Sequence, residues 1–145
     1  MVTMTLPVRT LSIFLALFWV SCASAADLSV KITGIRSNDG NVHVALFNHA
    51  AHFPEHEGIF KEVEVPIINN QTSAVFLDLK PGKYAIAIYH DENNNGEFDQ
   101  GILGIPLENY GFSSGATAFL GPPSFNEAMF EISVRGATTA IDLGN

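Results

Sequence analysis

The chain is expected to fold as an all-β protein, a single antiparallel β-sandwich of about seven short strands interrupted by one long Gly/Pro-rich loop. Three observations point there. Apolar residues recur at every second position in successive short runs, the period of a half-buried strand. Turn-forming clusters separate those runs at intervals of about eight to twelve residues, the spacing of sandwiches and barrels. No stretch keeps a helical period over three turns.

The runs follow in order. Leu28, Val30, Ile32 and then Ile35 mark the first strand, and the turn SNDG (Ser37 to Gly40) leads to the second, with Val42, Val44 and Leu46. Phe60, Val63 and Val65 suggest a third, and Ala74, Phe76 and Leu79 a fourth. The fifth, KYAIAIYHD, carries Tyr84, Ile86 and Ile88 on one face and Ala85, Ala87 and Tyr89 on the other. Two apolar faces place it in the centre of a sheet. Met129 to Val134 and Thr138 to Leu143 supply the last two strands, joined by a turn at Gly136. Between them and the fifth strand, Ser124 and Glu127 stand at capping-box spacing after Pro123, enough for one helical turn. The strand pattern suits an immunoglobulin-like or prealbumin-like sandwich, and the Pro-Gly turn feeding the Tyr-bearing strand in LKPGKYAIAIY resembles the penultimate hairpin of prealbumin-like and carboxypeptidase-regulatory-like sandwiches.

The first 26 residues differ in kind. Arg9 precedes the apolar run LSIFLALFWV, and SCASAA follows it, with Ala23 and Ala25 in small-x-small order, the pattern of a cleaved secretory signal peptide. The run is too short for a permanent membrane anchor. Residues 1–26 are therefore read as leader and 27–145 as one domain, periplasmic or secreted, with no transmembrane anchor after cleavage. The sole cysteine, Cys22, lies in the leader, so a mature chain has no disulfide or thiolate chemistry. Lipidation at Cys22 is the less favoured alternative, because Trp19 is a poor match for the small aliphatic position expected ahead of it. Arg9 is the leader's one charged residue, so cleavage leaves six Lys and Arg against fifteen Asp and Glu, a net charge of −9 in place of −8. Such a surface argues against a nucleic-acid partner, which demands basic neutralisation of phosphates.

The chemistry-bearing stretch is HDENNNGEFDQG, His90 to Gly101. Against a twelve-residue calcium loop, Asp91, Asn93 and Asn95 take the first, third and fifth positions, Gly96 the sharp turn, Glu97 the carbonyl position and Asp99 the ninth. The twelfth, which should be a bidentate Glu, is Ile102, so a hard cation lacks one carboxylate unless Glu108 folds back from the long loop or Glu92 turns inward. Two carboxylates and two amides imply weak calcium binding, with Kd about 0.1–1 mM. An Asn-Gly hairpin turn without metal is the competing reading.

Other candidates carry less. His49, His52 and His56 cluster near His43, but Pro54 and Gly58 break any helix that would align them as ligands. GFSSG matches a nucleophile elbow at Ser113, yet no histidine follows it in the chain. Asn70-Gln71-Thr72 is a glycosylation sequon, meaningful only in a eukaryotic host.

Four pieces, GNVHVALF, DLKPGKYAIAIYHDENNNGEFD, LGIPLENYGFSSGA and PPSFNEAMFEI, together resemble the exported bacterial proteins grouped as domain-of-unknown-function family 2141 (DUF2141). The resemblance spans Leu28 to about Asp142 and implies a β-sandwich of the Gram-negative envelope, with no assigned activity. It also implies that Asp91, Asn93, Asn95, Asp99 and Glu108 form one site, with Tyr110 and Phe112 beside it as ligand-binding residues. The resulting expectation is a non-catalytic binding or structural module with a weak calcium site, its partner an envelope protein or a glycan. The rivals are a metal-assisted or glycosidic hydrolase using Asp91, Asp99 and Glu108, and a purely structural metal-free domain.

Overall fold

The computed structural model describes residues 25–144, so the residues read as leader lie outside the described part apart from Ala25 and Ala26. Two sheets pack face to face. In the smaller, β1 (Ala26–Thr33) lies between β4 (Thr72–Leu79) and β8 (Ala137–Asp142). In the larger, β3 (Lys61–Pro66), β2 (Asn41–Phe47) and β5 (Gly82–Asp91) run side by side, and the free edge of β5 is shared by two short strands. These are β6 (Tyr110–Phe112), paired to Ala87–Tyr89, and β7 (Phe130–Ile132), paired to Gly82–Tyr84. Ala26, the last residue of the segment read as leader, is buried and pairs with Leu79.

The alternation in the sequence is the alternation of the core. Leu28, Val30 and Ile32 from one sheet meet Val42, Val44, Ile86 and Ile88 from the other, all buried. Each such side chain contributes about 1.5–3 kcal/mol relative to an exposed position. Ser124 and Glu127 cap the single turn α1 (Phe125–Ala128): the Glu127 carboxylate accepts from the Ser124 N–H and hydroxyl, both at 2.7 Å. Those two bonds hold the Glu127 carboxyl below the usual carboxylate range.

Two details differ from the sequence expectation. β8 runs parallel to β1, Leu28 facing Ala137 through Thr33 facing Asp142. Alternation is blind to strand direction, and both faces of a sandwich strand read alike in either sense. The second is β6, which lies inside the Gly/Pro-rich segment expected to be loop. It carries only Tyr-Gly-Phe, too few residues to alternate. Gly111 is there for close approach: a Cβ at that position would stand 2.9 Å from Leu143 and 3.0 Å from Ile141.

Candidate functional site

β5 ends at Asp91, and the loop that follows turns back on it. The Asp91 carboxylate is 1% exposed. Its Oδ1 accepts the Asn95 N–H at 3.1 Å and its Oδ2 the Gly96 N–H at 2.8 Å, so the side chain closes the first half of the loop. Gly96 sits at φ +76°, which lets the chain reverse there. Asn93 and Asn95 donate their amides to Asp99 at 2.7 and 3.1 Å, while their side-chain oxygens accept the N–H of Asn95 and of Glu97.

Glu108 closes the other half. Its Oε2 accepts the Asp99 N–H at 3.0 Å. Its position follows from register. Tyr89 faces Tyr110 across β5 and β6, and the His90 N–H donates to the Asn109 carbonyl at 2.8 Å, carrying the pairing one residue further. Followed two residues beyond the last paired position, that register brings Glu108 toward the end of β5 at Asp91. Glu108 is 7% exposed, and its Oε1 is buried with no hydrogen-bond partner. Among the described residues neither carboxylate has a Lys or Arg within ion-pair range; the nearest base is His43, whose Nε2 stands 3.5 Å from Asp91.

Ile102, at the twelfth loop position, is 86% exposed and turned to solvent. Among the described residues no group of three or more His, Cys, Asp or Glu is gathered as a metal cluster. The side chains that the loop does gather are the carboxylates of Asp91, Asp99 and Glu108 and the amides of Asn93 and Asn95, whose oxygens are of the hard type that calcium takes.

The outer face of the larger sheet continues the site. His43 stacks on Tyr89 with ring centroids 4.7 Å apart, and its Nδ1 lies 3.5 Å from Glu62. Phe98, carried by the loop, packs against Tyr89 and Tyr110 at 5.5 and 5.8 Å, and Tyr110 meets Phe112 at 5.9 Å. These rings border a groove of about 750 Å³ floored by Ala45 and Ala87. The Tyr89 hydroxyl is pushed up to about 12, first by burial and then by the negative charges of Asp91, Glu62, Glu108 and Glu64.

Sequence reasoning left His43, Glu62 and Glu64 out of the site. The signal was present in the alternation: with Val42, Val44, Val63 and Val65 inward, these three had to share the outer face. Of the histidine cluster, His56 lines the groove, and His49 is spent on the Ala51 N–H. Ser113 is wholly buried: its hydroxyl accepts the Ile86 N–H at 2.8 Å and donates to the Ala128 carbonyl at 2.5 Å, tying α1 to β5.

Residues 30–141 match the model of the family DUF2141, described as an uncharacterized protein conserved in bacteria, and the chain belongs to that family. No curated protein and no solved structure matches the chain. No helix among the described residues is long and apolar enough to cross a membrane.

Proposed function

We propose that this DUF2141 protein is a non-catalytic binding module of the bacterial envelope, periplasmic or secreted, that holds a calcium-type cation between Asp91 and Glu108. The observation that carries the reading is the pair itself: two buried carboxylates tied to the same loop, with no Lys or Arg in ion-pair range among the described residues and one oxygen unpartnered. Neighbouring like charges repel, and burial raises the cost, so a cation between them offsets both.

Asp91, Asp99 and Glu108 would supply the charged oxygens. Asn93 and Asn95 would turn their amide oxygens inward, exchanging two bonds to Asp99 for coordination, and Glu97 would offer its carbonyl. Glu108 thereby replaces the glutamate that a calcium loop carries at its twelfth position. The hydrolytic reading of the same acids has less support, because Asp91 and Glu108 are tied to loop amides that close over them.

Tyr89 reports the charge of this site. Its hydroxyl stands near 12 partly because Asp91 and Glu108 oppose the phenolate. A divalent cation between those two carboxylates favours the phenolate, so calcium is expected to lower the Tyr89 pKa by about one unit. NMR titration of the Tyr89 ring with calcium and with chelator measures this. An unchanged titration in saturating calcium would sink the proposal.

A further inference from the structure

We infer that the groove on the outer face of the larger sheet is a site for a linear aliphatic polyamine, because four glutamates and an aromatic wall surround it and no Lys or Arg is among the described residues that line it. This inference rests on the reading of the chain as a binding module and names its ligand class. It does not require the cation between Asp91 and Glu108.

The volume, about 750 Å³, lies within the range of small-molecule sites. Ala45 and Ala87 keep the floor shallow-sided and apolar, suited to a chain of methylenes. Among the described residues, the charged groups lining it are Glu55, Glu62, Glu64 and Glu97, and the basic side chains are His43 and His56. Glu62 and Glu64 stand two residues apart on β3 and share one face, so their carboxylates repeat at roughly 6.8 Å, twice the strand rise. That spacing suits two ammonium groups on one short aliphatic chain. Tyr89, Phe98 and Tyr110 offer ring surface to a cation, an attraction that strengthens as water is excluded.

Three groups along this wall are already engaged. Glu64 accepts the Asn41 amide at 2.6 Å, Glu62 neighbours His43, and His43 covers one face of Tyr89. Each glutamate keeps lone pairs for an ammonium donor.

The test is an NMR titration of the whole protein, in calcium and again in chelator. The probes are putrescine, spermidine, uncharged butanediol, a lysine-bearing peptide and a neutral hexose oligosaccharide. Putrescine and spermidine are expected to shift Ala45, Ala87, Tyr89 and Phe98 saturably, spermidine at lower concentration, with affinity falling as salt rises. The double variant Glu62→Gln, Glu64→Gln is expected to weaken both amines about tenfold or more. Ala45→Leu, which fills the floor, should abolish amine binding. Equal binding of butanediol, a response to the peptide or the oligosaccharide alone, or wild-type amine affinity in the double variant would each overturn the inference.

Discussion

Replacing Gly40 by alanine is expected to destabilise the protein by at least about 3 kcal/mol and to remove cation binding with it. Gly40 ends the SNDG turn at φ +67°, where any L side chain costs roughly 1–2 kcal/mol. The greater part of the cost is steric. A Cβ there would overlap the Asp91 carbonyl and lie 2.9 Å from the Glu92 Cα, both backbone atoms that no rotamer change can move. Relief requires the end of β5 to shift, and that shift carries the Asp91 carboxylate away from the Asn95 and Gly96 amides. Two charge-assisted hydrogen bonds, each worth about 1.5–3 kcal/mol, are then strained together. Denaturant unfolding measures the first effect and calcium titration the second. A stable Gly40→Ala that still responds to calcium would show that the strand end tolerates the displacement.

Glu108→Gln is expected to reverse the order of stability between two conditions. In chelator the variant should melt above the wild type, by about 1 kcal/mol or a few degrees, because neutralising Glu108 relieves its opposition to Asp91. The amide still accepts the Asp99 N–H through its oxygen and brings a donor to the place of the unpartnered Oε1. In calcium at about ten times Kd the wild type gains roughly 1.4 kcal/mol by mass action, while the variant, short of one charged ligand, gains little. The two melting curves should therefore cross between chelator and calcium. A variant less stable than the wild type in both would mean that Glu108 serves the fold alone.

Most of the fold was legible because burial imposes a period of two wherever a strand has one buried face. Leu28 to Ile32, Val42 to Leu46 and Tyr84 to Ile88 are buried on the faces that the alternation assigned. Strand direction and partners were not legible, since the parallel pairing of β1 with β8 joins segments from opposite ends of the chain. β6 was hidden by its glycine, which serves close packing against Ile141 of β8 and Leu143 just beyond it, where composition suggests a loop.

The loop could be read from residue types alone, because Asp91, Asn93, Asn95 and Asp99 are local in the chain. Glu108 is a different case: its proximity to Asp91 depends on the register of β5 and β6, a property of the sheet. The groove was less legible still. Glu62 and Glu64 read as the solvated face of a strand, and only the adjacency of β3 to β2, with Tyr89 beyond, gives those carboxylates an aromatic neighbour.

If Asp91 and Glu108 share a cation, three backbone amides report on it directly. The N–H groups of Asn95 and Gly96 donate to Asp91, and that of Asp99 donates to Glu108. An NMR titration with calcium is predicted to move these three resonances together, saturably, with a Kd of about 0.1–1 mM. Asp91→Asn should shift that midpoint at least about tenfold. If all three amides stay in place at about 10 mM calcium, well above the range of extracellular modules, the two carboxylates do not form a cation site.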